Sequence, residues 1–164
     1  MQEVIEKNPR SGQLFNSLDS KGVSPLMMCA QEGFVPGICL LLEQGVDINR
    51  VNNDGKTALM WAAINGHTEA VNLIIDSGAD MTMKDRSGTN CLYAACDSDQ
   101  PGTVAAILSR KVIDVNEFNA SGWTVLHKLA AVNNHEAAAP IAEQLIQAGA
   151  LGDLRDNNGN TPVL

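Results

Sequence analysis

The side chains of this 164-residue chain that are best suited to metal binding or catalysis are its three histidines and four cysteines. The histidines are His67, His127 and His135, and none stands at a metal-binding spacing from a cysteine or a carboxylate, such as HExxH. His135 lies in the polar segment Asn-Asn-His-Glu, where we expect a solvated side chain. The sequence therefore predicts no metal site and no cofactor.

The cysteines favour an intracellular protein with reduced thiols. Cys29, Cys39, Cys91 and Cys96 show no CxxC spacing and stand among alanines and leucines. Buried free cysteine behaves as a small apolar side chain, and disulfides are rare in the cytosol. We therefore expect four buried, reduced thiols in the cytoplasm or nucleus. A disulfide pair or a zinc site is the alternative.

Other short motifs of catalysis or ion binding are absent from the sequence. It contains no GxSxG, no P-loop and no GxGxxG. The carboxylates of Asp97 and Asp99 are typical of a solvated acidic loop. Residues 155–159 only loosely resemble the start of a calcium loop, and we expect no calcium binding there. We expect a chain that is not an enzyme and has no small-molecule substrate.

Composition and charge narrow the class of partner. The formal net charge is −8, which argues against binding to a nucleic-acid backbone or an anionic membrane surface. No apolar run is long enough to span a bilayer, and the N-terminus lacks the apolar core of a secretory signal. Hydrophobic residues make up 45% of the chain, which is enough for a sizeable core. A protein or peptide partner of basic or mixed charge fits best.

The chain repeats itself about every 33 residues. Five turn glycines mark the copies at spacings of 33, 33, 34 and 37 residues: Gly22, Gly55, Gly88, Gly122 and Gly159. Each is preceded at three residues by Asp or Asn, and each is followed at two residues by Ser, Thr or Asn. Leucine stands four residues after the glycine in four copies: Leu26, Leu59, Leu92 and Leu126. Agreement at so many offsets indicates a repeat architecture.

Each repeated position has a physical role. The Asx-x-x-Gly segment predicts a tight turn, and the Ser, Thr or Asn that follows is a good N-cap. Leucine begins the apolar stripe of a short helix, which small residues such as Ala62 and Ala63 allow to pack closely. A second helix follows with apolar pairs such as Ile74-Ile75 and ends at a glycine such as Gly78. One such unit cannot bury its apolar face alone, so the copies must stack.

These units resemble ankyrin repeats, whose pattern is roughly D-x-x-G-x-T-P-L-H-x-A-A-x-x-G-H followed by a leucine-rich helix and G-A-D-V-N. The stretches DGKTALMWAAINGH, LIIDSGAD, SGWTVLHKLA and GNTPVL carry the resemblance. It implies an all-α solenoid of stacked helix-turn-helix units with β-hairpin-like loops. The expected repeats are 19–51, 52–84, 85–118 and 119–155, with a partial fifth at 156–164 and a partial or capping segment at 1–18.

The resemblance also implies roles for two histidines. His67 would bond to backbone at a turn, and His127 would tie its unit to a neighbour. The other copies depart from the pattern at the position of His127, where they carry Met27, Met60 and Tyr93.

The third and fourth copies depart further. The third has Asp97–Pro101 in place of the Gly-His turn and Lys111 in place of the helix-ending glycine, while the fourth has four extra residues that would lengthen the region 132–140. We expect repeats 3 and 4 to differ in curvature or mobility from repeats 1 and 2. We also expect a piece of a longer repeat protein; a complete short protein is the alternative.

By its resemblance, the chain would bind a protein or peptide on a concave face formed by the turn tips and first helices. The expected contact residues are those the motif leaves variable: Lys21, Gln31, Asn53, Lys56, Trp61, Ile64, Asn65, Arg86, Asp97 and Trp123. Interface hot spots favour Trp and Arg, although Trp61 has packing against the next repeat as an alternative role. The alternative function is a regulatory segment that packs against another domain of a longer enzyme, channel or effector.

The resemblance further implies possible asparagine hydroxylation in the loop after the second helix. Asn49 has Leu41 eight residues earlier, and Asn116 has Leu108 at the same distance. The alternative for both asparagines is a loop-bracing role.

Overall fold

The computed structural model describes residues 15–131 and 135–162, with side chains of the second range described from residue 138. The described residues form α-helices and turns, without a β-strand. In chain order the helices are α1 Pro25–Glu32, α2 Val35–Glu43, α3 Ala58–Ile64, α4 Thr68–Asp76, α5 Cys91–Ala95, α6 Pro101–Leu108, α7 Val125–Ala130 and α8 His135–Gln147. The predicted all-α fold is confirmed. We call each turn with its helix pair a unit, numbered 1 to 4.

The predicted caps start the first helices. The Ser24 hydroxyl accepts the backbone N–H of Met27 at 3.3 Å, and the Thr57 hydroxyl accepts that of Met60 at the same distance. In unit 3 the Asn90 side-chain oxygen accepts the N–H of Tyr93 at 3.1 Å. Each bond satisfies a backbone donor that the first turn of a helix leaves unpaired.

The Asx residues build the turn tips. The Asn52 side-chain oxygen accepts the backbone N–H groups of Asp54 at 3.0 Å and Lys56 at 2.9 Å. Neighbouring tips are then joined through the backbone: the N–H of Asn53 donates to the carbonyl of Lys21 at 3.0 Å, and that of Arg86 donates to the carbonyl of Asp54 at 3.0 Å. These loops are hairpin-like without forming strands.

The core runs along the stack. First helices pack on first helices, and α4 packs between α2 and α6 in the layer of second helices. The repeated leucines are all buried, with exposures of 0 to 2%: Leu26, Leu59, Leu92 and Leu126. Ala62, Ala63 and Ala95 are fully buried beside them. Small side chains at these positions let adjacent helices approach closely, as the pattern predicted.

Unit 3 keeps the backbone of the other units without their glycines. Asp99 has φ 52°, where Gly66 has 70° one unit earlier, and Lys111 has φ 54°, where Gly78 has 94°. Both substitutes therefore occupy the left-handed region that side chains disfavour. The first helix of this unit, α5, is also the shortest, at five residues. Repeat 3 thus has a strained version of the same backbone geometry, and a difference in curvature or mobility stays a prediction.

In unit 4 the second helix is longer than its counterpart in unit 3. Helix α8 has 13 residues and α6 has eight. Part of the expected lengthening, residues 132–134, lies outside the described residues.

The prediction of four buried thiols is wrong for two of them. Cys91 and Cys96 are buried, and their desolvation raises the pKa of each thiol to about 12. Cys29 and Cys39, which lie on the two helices of unit 1, are only partly buried. All four are free of disulfide bonds. Within the described residues, no helix is both long enough and apolar enough to cross a membrane.

Candidate partner-binding groove

A groove of about 500 Å³ lies between the first helices of units 2 to 4 and the turn tips of these units and of the partial fifth repeat. The tips contribute one group of lining residues: Lys56, Asp85, Ser87, Thr89, Asn119, Ser121, Trp123 and Asn158. The helix side contributes the other: Ile64, Tyr93, Ala94, Asp97 and Lys128. The lining mixes apolar rings and chains with two carboxylates and two ammonium groups.

Ala94 has the smallest side chain in the lining of the groove. Ala94 stands six residues after its turn glycine, an offset at which the other units carry Met28, Trp61 and Lys128. The methyl group leaves open space beside α5 where a longer side chain would extend into the groove, and we call this space the recess. The small residue of unit 3 thus contributes to the open space of the groove.

An ion pair between units anchors the unit 2 end of the groove. The Lys56 ammonium lies 2.7 Å from Oδ2 of Asp85, whose side chain is 4% exposed. Burial raises the pKa of the Asp85 carboxyl, but hydrogen bonds from Lys56 and Thr89 outweigh it, so the net pKa is below 3.8. Asp85 is thus a buried anion that Lys56 neutralises.

A second ion pair between units is more open to solvent. The Lys128 ammonium lies 2.7 Å from Oδ1 of Asp97. The Asp97 side chain is 42% exposed and that of Lys128 is 28% exposed. The more accessible member of this pair is therefore the carboxylate.

Tyr93 and Asn119 form the floor. The amide of Asn119 donates to the Tyr93 hydroxyl at 3.1 Å, across the boundary between units 3 and 4. Burial of the Tyr93 ring raises the pKa of its hydroxyl above its usual range, so the group remains neutral. The floor is a fixed, uncharged surface.

Trp123 contributes an indole ring that is partly buried against the core. Its backbone N–H donates to the Asn119 side chain at 2.9 Å, which fixes the tip. A backbone hydrogen bond from Asn160, and to a smaller extent the Trp123 side chain, lower the pKa of Asp156. The ring is thus held between the groove and the next turn.

The structure brings four of the ten predicted contact residues into the groove: Lys56, Ile64, Asp97 and Trp123. The other six lie outside it. Lys21, Asn53 and Arg86 are exposed along the turn tips, and Gln31 and Asn65 are exposed at the ends of α1 and α3.

Trp61 packs against the core, which agrees with its alternative role. Its indole N–H is buried without a hydrogen-bond partner among the described residues. The side chain of Asn65 donates to the Trp61 carbonyl at 2.9 Å, so Asn65 closes the end of α3.

Sequence reasoning missed four residues that shape the groove: Asp85, Tyr93, Asn119 and Lys128. Three of them occupy motif positions, which we treated as scaffold. Lys128 had a usable signal, since it shares its offset from the turn glycine with Trp61. Lys128 and Asp97 carry opposite charges in consecutive repeats, and this observation would have predicted their ion pair.

The two histidines have the predicted structural roles. Nε2 of His67 lies 2.9 Å from the carbonyl oxygen of Gln31 in the preceding unit. Nε2 of His127 lies 3.0 Å from the carbonyl oxygen of Asn160, and its Nδ1 contacts the Thr124 hydroxyl at 2.9 Å. The side chain of His135 lies outside the described residues.

The asparagines proposed for hydroxylation both brace loops. The side-chain oxygen of Asn49 accepts the N–H of Asp80 at 2.8 Å. Asn116 donates to the carbonyl of Gly149 at 3.0 Å and accepts the N–H of Leu151 at 2.8 Å. These contacts agree with the bracing role, and hydroxylation stays a prediction. Across the described ranges, no cluster of three His, Cys, Asp or Glu side chains is arranged to hold a metal ion.

Comparison with known families agrees with the geometry. A family model described as ankyrin repeats (3 copies) matches residues 2–85 and, in an overlapping register, 26–119. A second model, described as ankyrin repeat, matches residues 121–157. Among curated proteins there is no significant match.

Proposed function

The chain belongs to the ankyrin repeat family, and from this premise we propose that it is a binding module, not an enzyme, which docks a partner protein or peptide in the groove of units 2 to 4. Ankyrin repeats are generally protein-interaction modules. The observation that carries the proposal is the groove itself, where Ile64, Trp123 and two ion pairs line one continuous depression.

Several features support recognition over chemistry. The two buried cysteines have raised pKa values, which disfavours the reactive thiolate. Both ring nitrogens of His127 are hydrogen-bonded, to the Thr124 hydroxyl and to the carbonyl of Asn160, and Nε2 of His67 is bonded to the carbonyl of Gln31, so both rings serve as contacts between or within units. Exposed polar groups around partly buried aromatic rings are instead typical of a protein interface.

The partner we propose is a protein or peptide of basic or mixed charge inside the cell. The net charge of −8 supports this choice and disfavours nucleic acid, because a phosphate backbone would be repelled.

Site-specific photo-crosslinking tests the proposed face. A benzoylphenylalanine replaces Ser121, exposed at a tip that lines the groove, or Ala105, exposed on α6 in the layer of second helices. We expect partner adducts from position 121 and few from position 105. The adducts at 121 should disappear when Trp123→Ala is added.

Two controls accompany this experiment. Circular dichroism and thermal melting of each variant establish that the fold is retained. The variant Arg86→Ala changes an exposed tip residue outside the groove, so it should leave the adducts at position 121 intact. Equal adduct yields from positions 121 and 105 would contradict the assignment of the face.

A further inference from the structure

We propose that the groove selects an extended basic peptide, whose apolar side chain fills the recess over Ala94 and whose arginine binds the carboxylate of Asp97. This inference rests on the proposed function and specifies the chemistry of the partner.

The recess suits one apolar side chain. Ala94 of unit 3, Ile64 of unit 2 and Trp123 of unit 4 line the same 500 Å³ space. Ile64 and Trp123 are partly buried and pack on the core, so both present fixed surfaces. A Leu, Met or Phe side chain bound there would gain free energy by leaving water, and the protein would lose little conformational entropy.

Asp97 is the accessible anion beside this recess. Asp85 is shielded, since its side chain is 4% exposed and already neutralised by Lys56. Asp97 is 42% exposed, and one of its oxygens takes the Lys128 ammonium. A carboxylate offers about four acceptor sites, so a second cation can bind. The planar guanidinium of arginine matches this arrangement better than lysine does, because it can donate two parallel hydrogen bonds.

The separation of the two sites favours an extended peptide. Asp97 follows Ala94 by three residues, just beyond the end of α5 at Ala95. Side chains on one face of an extended peptide recur about every 6.6 Å, twice the rise per residue. An arginine two positions from the apolar anchor therefore reaches Asp97 when the anchor sits over Ala94.

The electrostatic field of the whole chain also favours a basic peptide. A net charge of −8 attracts basic peptides and repels acidic ones, and this raises the association rate at low salt. Binding should accordingly weaken as the salt concentration rises.

Selection of peptides from a random phage-displayed library tests the inference. A 12-residue library is panned on the wild-type chain, and enriched peptides are synthesised and measured by fluorescence anisotropy. We expect arginine at two positions from Leu, Met or Phe in the enriched sequences. Asp97→Asn should weaken binding of these peptides about tenfold or more, since a hydrogen bond to a charged group is lost. Glu43→Gln, an equal change of charge at an exposed site on α2, should leave binding unchanged.

Two further variants separate direct contact from a structural effect. Lys128→Gln removes the internal competitor for Asp97, so we expect tighter binding than that of the wild type. If Asp97 acted only by holding Lys128, the two variants would weaken binding equally, and this would overturn the inference. Ala94→Leu fills the recess and should weaken binding while the melting curve is retained. If Ala94→Leu disturbs the fold, Ser121→Trp provides an obstruction from the exposed tip.

The outcomes distinguish the two proposals. If the enriched peptides are acidic or uncharged and Ser121→Trp abolishes their binding, this inference is overturned and the proposed function stands. Peptides that bind all variants equally would overturn both, and so would a library from which nothing is enriched.

Discussion

Gly33 supports the imidazole ring of His67 across the boundary between units 1 and 2. A Cβ atom built on Gly33 would come within 2.7 Å of the ring, and the ring itself reaches the carbonyl of Gln31 at 2.9 Å. The glycine also has φ 66°, in the left-handed region. One residue thus serves both the end of α1 and the contact with the next unit.

Gly33→Ala should destabilise the chain more than Gly45→Ala. Both glycines have positive φ, 66° and 72°, so each substitution costs about 1–2 kcal/mol of backbone strain. A Cβ on Gly45 meets nothing within 4 Å, whereas one on Gly33 must displace His67. We expect Gly33→Ala to lose about 1 kcal/mol more, the value of the displaced hydrogen bond. Urea unfolding followed by circular dichroism measures the difference, and equal losses would contradict the packing role.

Lys56→Met should lower the free energy of unfolding by about 2 kcal/mol, because it leaves the Asp85 carboxylate buried without its counter-ion. Methionine retains much of the aliphatic packing of lysine. Lys21→Met is the matched control, since Lys21 is exposed on the preceding tip. A loss as large in the control as in Lys56→Met would show that the effect is one of net charge.

Asp85 should make the chain sensitive to acid. Its native pKa is below 3.8, the ordinary value, so the carboxyl contributes stability that is fully present above that pH and disappears as the pH falls through the lower native pKa. The stability difference between wild type and Asp85→Asn should therefore be constant at neutral pH and shrink below about pH 3.8. Urea midpoints at several pH values measure it; a difference independent of pH would contradict the shift. The other carboxyl groups contribute equally to the stability of both proteins, so their contributions cancel in this difference.

Lys111→Gly should stabilise the chain by up to about 1 kcal/mol. Lys111 has φ 54°, at a position where Gly78 and Gly149 end the corresponding helices. Glycine removes the left-handed strain but makes the unfolded chain more flexible, so only part of the strain energy is recovered. Ser109→Gly, at φ −59°, is the control and should destabilise by about 0.5–1 kcal/mol. Thermal melting measures both, and a lower midpoint for Lys111→Gly would refute the strain argument.

Asn116→Ala should cost more stability than Asn49→Ala. Asn116 makes two hydrogen bonds to the following unit, to Gly149 and Leu151, whereas Asn49 accepts one from Asp80. At about 1 kcal/mol for each bond, we expect losses near 2 and 1 kcal/mol. Chemical denaturation tests the order. Mass spectrometry of tryptic peptides from the cellular protein tests hydroxylation of either residue, through the gain of one oxygen atom.

Local features of the sequence were enough to predict the repeating framework. The turn glycines, the Ser24, Thr57 and Asn90 caps and the buried leucines lie where the pattern placed them. These features depend on backbone conformation within a few residues, and recurrence of the same residue type at a fixed offset makes them visible. The roles of His67 and His127 followed from the family pattern for the same reason.

The groove is formed by contacts between repeats, so the sequence of a single repeat does not predict it. Trp61 and Lys128 occupy equivalent offsets, yet one packs on the core and the other faces Asp97 across a unit boundary. Which of the two lines the groove depends on the neighbours that stacking supplies: Lys128 lines it together with Ala94 and Asp97, and Trp61 does not. The sequence specified where variable residues occur, and the stacking of units decided which of them share one surface. Side chains 29 to 31 residues apart, such as Lys56 with Asp85 and Asp97 with Lys128, meet because each unit lies against the next.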